Sequence, residues 1–193
     1  MARIREFDTD LAVEAAMDAF RARGYEGTSV QDLVAATGVG RGSLYAAFGS
    51  KEGLYLAAMD RYREMYAVPL VDVLRAGAPA RELIREVLLG TVDTIVEDGN
   101  RRACLIVGAA MERIAHDPRV AAHVRVTTTS IEDALYEVIV EARSKGELPA
   151  GRSPRDLARY LVATLHGLRV LGAINPDRAA LAAVAEVALD ALG

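Results

Sequence analysis

Cysteine is almost missing from this chain. Cys104 stands alone among 193 residues, which excludes an internal disulfide framework and any cysteine-rich zinc site. Tryptophan is absent, and the ten Phe and Tyr residues split eight to two, with only Tyr136 and Tyr160 beyond residue 66. Long apolar runs are missing as well. No stretch free of Asp, Glu, Lys and Arg exceeds nine residues (42–50, 103–111 and 160–168), whereas a membrane-spanning helix needs about 18 apolar residues, so none is expected. Arg3, Arg5, Glu6, Asp8 and Asp10 open the chain with no apolar run behind them, unlike a secretory leader. Positive charge is not in excess: 23 basic against 27 acidic groups leave a net charge of −4, which excludes a protein that coats nucleic acid. What is plentiful is apolar character, 52%, too much for a disordered chain. The expectation is a cytoplasmic protein with a substantial core.

Ala, Leu, Arg and Glu dominate, all strong helix formers, and apolar residues recur with a period near 3.6 almost throughout. A first helix is expected after a cap at Asp8 or Thr9, with Leu11, Ala15, Ala16, Ala19 and Phe20 as its apolar stripe and Gly24 as its end. A second runs from Thr28 or Ser29 to Thr37, and a third from Arg41 to Phe48. Ser50 caps a fourth, which continues until Pro69 kinks or ends it. Further helices are expected over roughly 80–97, 102–115, 117–145, from Ser153-Pro154 onward, and from Asn175-Pro176 to the end. No segment alternates with period two over a strand's length. The fold is therefore read as all-α with about nine helices: a three-helix head (1–50), a linker helix (about 50–75) and a larger helical part (76–193).

Three short helices with a glycine-rich turn (Gly38-Val39-Gly40) between the last two match a helix-turn-helix plan. In that plan one helix must enter the DNA major groove while its partner locks the angle through apolar contacts. Val30, Leu33, Val34, Val39, Leu44 and Phe48 can face inward, which leaves Arg41, Gly42, Ser43, Tyr45, Ala46 and Ala47 outside. A phosphate-binding glycine loop is excluded, because Gly38 to Gly42 follow a helix and lack the Gly-Lys-Ser/Thr ending.

Gly24-Tyr25-Glu26-Gly27-Thr28-Ser29-Val30, and then Thr37-Gly38-Val39-Gly40-Arg41-Gly42-Ser43-Leu44-Tyr45-Ala46-Ala47-Phe48-Gly49-Ser50-Lys51-Glu52-Gly53-Leu54, resemble the signature of TetR/AcrR-family transcriptional regulators. A weaker echo is Ala103-Cys104-Leu105-Ile106 followed by His116-Asp117-Pro118. The resemblance implies a homodimer that binds double-stranded operator DNA and releases it when a small molecule enters the C-terminal part. It implies phosphate contacts from Thr28, Ser29, Tyr45 and Lys51, and base contacts from the Arg41, Gly42 and Ser43 region. Ala46-Ala47 depart from the pattern, since many members carry Arg, Tyr or His there; alanines can still meet thymine methyl groups. Residues 1–60 hold six basic and nine acidic groups, so the head is acidic apart from its arm (Arg3, Arg5) and recognition elements. A shallow salt dependence is expected.

For the small molecule, Tyr62, Tyr66, Thr91, Cys104, Val107, Met111, Thr127 and His166 are the candidate contacts, from helices whose other residues are largely aliphatic. The apolar run 160–171 and the stripe Leu181, Val184, Val187, Ala188 and Leu192 are expected to pair with their two-fold copies. Two rival readings are a regulator that senses oxidants or electrophiles through Cys104, with Arg101 and Arg102 lowering its pKa, and a helical scaffold without DNA binding. No catalytic triad, metal motif or cofactor-binding motif appears, so no enzyme, metal or cofactor is expected.

Overall fold

The computed structural model describes residues 7–99 and 103–193. Arg3, Arg5, Arg101 and Arg102 lie outside the described residues. Its elements begin where local chemistry starts them. Asp8 Oδ1 accepts from the N–H groups of Asp10 (3.0 Å) and Leu11 (3.1 Å) and opens α1 (Thr9–Arg23). Ser29 opens α2 (Val30–Thr37), Gly40 opens α3 (Arg41–Phe48), and Ser50 Oγ accepts from the Gly53 N–H to open α4 (Lys51–Tyr62). These hydroxyl and carboxylate caps satisfy amides that no helical carbonyl can reach.

Of the two outcomes expected at Pro69, a kink or an end, the helix does not end there. The helical run from Lys51 to Leu74 is unbroken, with a π-helical turn over Arg63–Ala67 before α5 (Val68–Leu74), and Pro69 sits in the first turn of α5. Beyond it come α6 (Ala80–Asp98), α7 (Leu105–Glu112), α8 (Pro118–Ser144), α9 (Pro154–Ile174) and α10 (Arg178–Asp190). Counting the continuous run Lys51–Leu74 as one helix, the described residues form nine helices and no strand. Two starts differ from expectation. Cys104 is the N-cap of α7, and Asp177, whose carboxylate accepts from Ala179 and Ala180 N–H, opens α10 in place of Asn175. Asp and Asn are caps of similar quality, but the negative charge of Asp also suits a helix N-terminus.

The chain divides into two compact units, Met1–Met65 with Cys104–Val124, and Tyr66–Ala103 with Arg125–Gly193. In the first, α1 packs on α4 and α2. The buried stripe of α1 is Ala12, Val13, Ala16, Met17 and Phe20. Leu11, expected inside, is 64% exposed; it lies one residue before the stripe, about 100° round the helix. Leu54, Tyr55, Ala58 and Met59 of α4 are all at most 2% exposed, and burying a large apolar side chain such as Leu54 or Met59 contributes about 1.5–3 kcal/mol. Phe20 meets the Tyr55 ring edge-on, with centroids 4.8 Å apart.

In the second unit, α6 packs against α5, α9 and α10 around Leu83, Ile84, Leu88, Val92, Leu135, Ile139, Leu161, Leu168 and Leu181. A Cβ on Gly172 of α9 would overlap the Ile95 side chain of α6, so glycine permits the close approach there. By length and composition alone α9 is apolar enough to cross a membrane, a test that core helices of globular proteins also pass. Its buried residues Leu157, Leu161, Leu165 and Leu168 belong to the core of this unit. Tyr160, Val170, Leu171 and Ile174 of α9 and Val184 and Val187 of α10 stay exposed.

Candidate nucleic-acid interface

Between α2 and α3 the backbone turns on Gly38, held at φ 68° in the left-handed region where glycine carries no Cβ penalty. The Thr37 hydroxyl donates to the Leu33 carbonyl (2.7 Å) and accepts from the Val39 N–H (3.1 Å), which fastens the turn at both ends. Leu33 and Leu44, each 1% exposed, anchor the two helices inward. Where α3 gives way to α4, a Cβ on Gly53 would overlap the Phe48 carbonyl oxygen, so that junction also requires glycine.

This packing leaves α3 with a distinctive outer face. Arg41, Gly42, Ala46 and Ala47 are exposed, while Ser43 and Tyr45 are half-buried. The Arg41 guanidinium lies over the Tyr45 ring, 5.2 Å from its centroid, a spacing that favours attraction between cation and ring. Arg41 is the only basic residue between 24 and 50. By contrast, Arg21 pairs with Asp18 and Arg23 with Asp32.

The start of α2 differs from what its sequence suggests. Thr28 is fully buried, and its hydroxyl donates to the Gly24 carbonyl at 2.7 Å. No phosphate can reach that side chain; it closes the α1–α2 loop instead. Ser29 is exposed, but its Oγ donates to Asp32 Oδ2 (2.6 Å) and accepts from the Asp32 N–H (3.1 Å), and its own N–H donates to the same carboxylate (2.8 Å). The N-terminus of α2 therefore already holds an anion. Hydrogen bonds from Ser29, and then Arg23, hold Asp32 below the usual carboxylate range. The N-cap of α3 is Gly40, with no side-chain hydrogen bond.

Lys51 is half-buried rather than extended, with Nζ 4.1 Å from the centroid of the Tyr25 ring. Burial lowers its pKa. The Arg113 guanidinium lies over the same ring at 4.3 Å, and the Tyr25 N–H donates to Glu112 Oε2 at 2.8 Å. Arg113 also pairs with Glu26 (3.2 Å), Glu52 (3.7 Å) and the buried Asp117 (3.7 Å), and Arg119 pairs with Glu52 at 2.7 Å. The end of α7 and the start of α8 thus clasp the α1–α2 loop and the α4 N-terminus. No local pattern signals this clasp, because its central hydrogen bond spans 87 residues of sequence.

Residues 12–58 match the family model for bacterial regulatory proteins of the tetR family, and residues 79–193 match that for the C-terminal part of BetI-type transcriptional repressors. The chain belongs to the TetR family. It is similar to the HTH-type transcriptional regulator YezE of Bacillus subtilis (strain 168), 34% identical over 193 residues and covering 100% of both chains. It also resembles the transcriptional repressor BdcR of Escherichia coli (strain K12), 33% identical over 117 residues, 61% of this chain and 58% of that one. Among solved structures, a cysteine mutant of the TetR family regulator CifR in complex with 26-bp double-strand operator DNA is 35% identical, with a TM-score of 0.89 over 100% of both chains. This TetR-family protein is a DNA-binding transcription regulator, not an enzyme.

The small-molecule candidates of this TetR-family chain fall into two groups. In the first unit, Tyr62 and Cys104 are 2% and 7% exposed, and the Tyr62 hydroxyl donates to Cys104 Sγ at 3.3 Å. Val107 is half-buried, whereas Met111 is 83% exposed and lines no interior space in this chain. In the second unit, Thr91 and Thr127 are buried and Tyr66 and His166 half-buried; burial, then Arg169, lowers the His166 pKa. A crevice of about 190 Å³ in this unit is lined by Leu74, Arg75, Leu83, Glu137, Val138 and Lys145 among others, and by none of the candidates. Among the described residues, no group of three or more His, Cys, Asp and Glu is placed to hold a metal ion.

Proposed function

We propose that this regulator is a repressor that binds double-stranded operator DNA as a homodimer and leaves it when a small, largely apolar effector binds the 76–193 part. The observation that carries the reading is the outer face of α3, where an exposed Arg41, without a carboxylate partner among the described residues, stands among Gly42, Ser43, Ala46 and Ala47. A groove-reading helix needs that composition: small enough for the backbone to approach the bases, with a long donor that is not already neutralised. Arg41, Gly42, Ser43, Ala46 and Ala47 face the bases, and Tyr45 and Lys51 the phosphates. Residues 1–50 form the DNA-binding head, about 50–75 the linker helix and 76–193 the effector-binding and dimerisation part, with 104–124 packed on the head.

The exposed apolar residues of α9 and α10 support dimerisation. A head this acidic has few phosphate contacts to spare, so two half-sites must act together. Repression is favoured by the match to BetI-type repressors and by the repressor BdcR. The place of action is the cytoplasm, with the DNA. The effector binds more tightly to the dimer whose recognition helices are mis-spaced, and so shifts the population off the operator.

The test is a gel shift with fragments flanking the protein's own gene, at low salt and without effector. The wild-type dimer retards one fragment, and Arg41→Ala retards it weakly while melting at the same temperature. Failure of the wild-type protein to shift any such fragment overturns the reading.

A further inference from the structure

Beyond binding DNA, the outer face of α3 limits which DNA it can read. Of its exposed residues Arg41, Gly42, Ala46 and Ala47, only Arg41 carries a hydrogen-bonding side chain; the alanines present methyl groups and glycine presents backbone. Among the described residues nothing packs where a Cβ on Gly42 would sit, so no contact inside the protein accounts for the glycine, and the helix surface beside Arg41 is flat. The guanidinium is held over the Tyr45 ring one turn on, 5.2 Å from its centroid. That restraint lowers the entropy lost when both of its donor edges engage a base.

A planar double donor matches the O6 and N7 acceptors of guanine, and the apolar base-edge group in the major groove is the thymine methyl. Residues 46 and 47 follow residue 41 by five and six positions, about 7.5–9 Å along a helix axis. That is at most two to three base-pair steps of about 3.4 Å. We infer that this protein reads each half-site through one guanine bound by Arg41 and through thymine methyls packed on Ala46 and Ala47, no more than about three base pairs from that guanine. The inference rests on the operator-binding reading above and adds the composition of the DNA that it selects. Half-sites rich in cytosine or adenine on the contacted strand find only the half-buried Ser43 hydroxyl as a partner, because α3 carries no carboxylate or amide side chain.

The probe is duplex DNA selected by the full-length wild-type protein from a randomised library. Enriched half-sites contain the guanine and the neighbouring thymines. Replacing that guanine by 7-deazaguanine weakens wild-type binding by about 5- to 150-fold and leaves Arg41→Ala unaffected. Replacing a contacted thymine by deoxyuridine, which removes one methyl, weakens binding about 4-fold, and Ala47→Gly abolishes that sensitivity at its own thymine. Circular dichroism melts of both variants establish that they are folded. A library that yields no enriched sequence defeats the operator reading itself. Enriched duplexes that bind but tolerate both substitutions leave that reading intact and overturn this inference. It is equally overturned if Arg41→Ala weakens all sequences alike and lowers the salt slope by about one, the behaviour of a phosphate contact.

Discussion

Replacing Gly42 with alanine should make the protein more stable and a worse DNA binder at once. Gly42 lies in the first turn of α3 at negative φ, and among the described residues, apart from its chain neighbours and the backbone of its own helix, no atom comes within 4 Å of the place a Cβ would take. The new methyl therefore meets no obstacle, and it reduces the conformational freedom of the unfolded chain. That stabilises by about 0.5–1 kcal/mol, and for a chain of this size each kcal/mol raises the melting temperature by roughly 2–4 °C. On the operator the sign reverses. If the α3 backbone at Gly42 lies against base edges, the methyl occupies space that the DNA needs. An overpacked contact costs about 1–3 kcal/mol, or roughly 5- to 150-fold in affinity. Urea unfolding and fluorescence-anisotropy titration of one preparation read the two quantities separately. A stabilised variant that binds the operator within about two-fold of wild type would refute the close approach. A destabilised variant would refute the open space.

Three further outcomes are expected. Thr28→Val leaves the Gly24 carbonyl without its 2.7 Å donor, so urea unfolding should show a loss of about 1 kcal/mol while operator affinity of the folded protein holds; a selective loss of affinity would restore Thr28 to the interface. Asp32 is held below the ordinary carboxylate range by Ser29 and Arg23, so its stabilising contribution is complete above its unfolded pKa of about 4 and disappears as pH falls through the lower folded value. Asp32→Ala should accordingly flatten the acid limb of stability measured from pH 5 to pH 2, and an unchanged limb would count against the capping geometry. Cys104, buried with the Tyr62 hydroxyl on its sulfur, should resist iodoacetamide until the protein is unfolded; rapid labelling of the native dimer would favour thiol sensing.

Much of this architecture was readable because helix starts are local. Asp8, Ser29, Ser50 and Ser153 each cap amides two or three residues ahead, and each stands in the sequence beside what it caps. The outer face of α3 was readable for a related reason: in eight residues with Leu44 inward, helical geometry assigns the remaining positions. What escaped was set by partners far along the chain or by competition between equally plausible roles. Thr28 looks like a surface hydroxyl until the α1–α2 loop folds over it, and Leu11 looks like a core residue until α4 selects the stripe one position later. A π turn at Arg63–Ala67 precedes Pro69, where pattern alone allows a kink or an end, and the helical run continues past it. The small-molecule candidates came from residue type without a shape to hold them. Met111 on the surface shows the weakness of that route.

The clasp on Tyr25 also sets a schedule for the newborn protein. Its hydrogen bond from Tyr25 to Glu112, and the pairs that tie Glu26 and Glu52 to Arg113 and Arg119, join the head to a segment some sixty residues beyond its own end. At roughly 5–20 residues per second, a ribosome that has released the head needs about 3–12 further seconds to supply the strip that completes it. During that interval the nascent head lacks Arg113 and Arg119 against Glu26 and Glu52, and its acidic surface is less neutralised than in the finished protein.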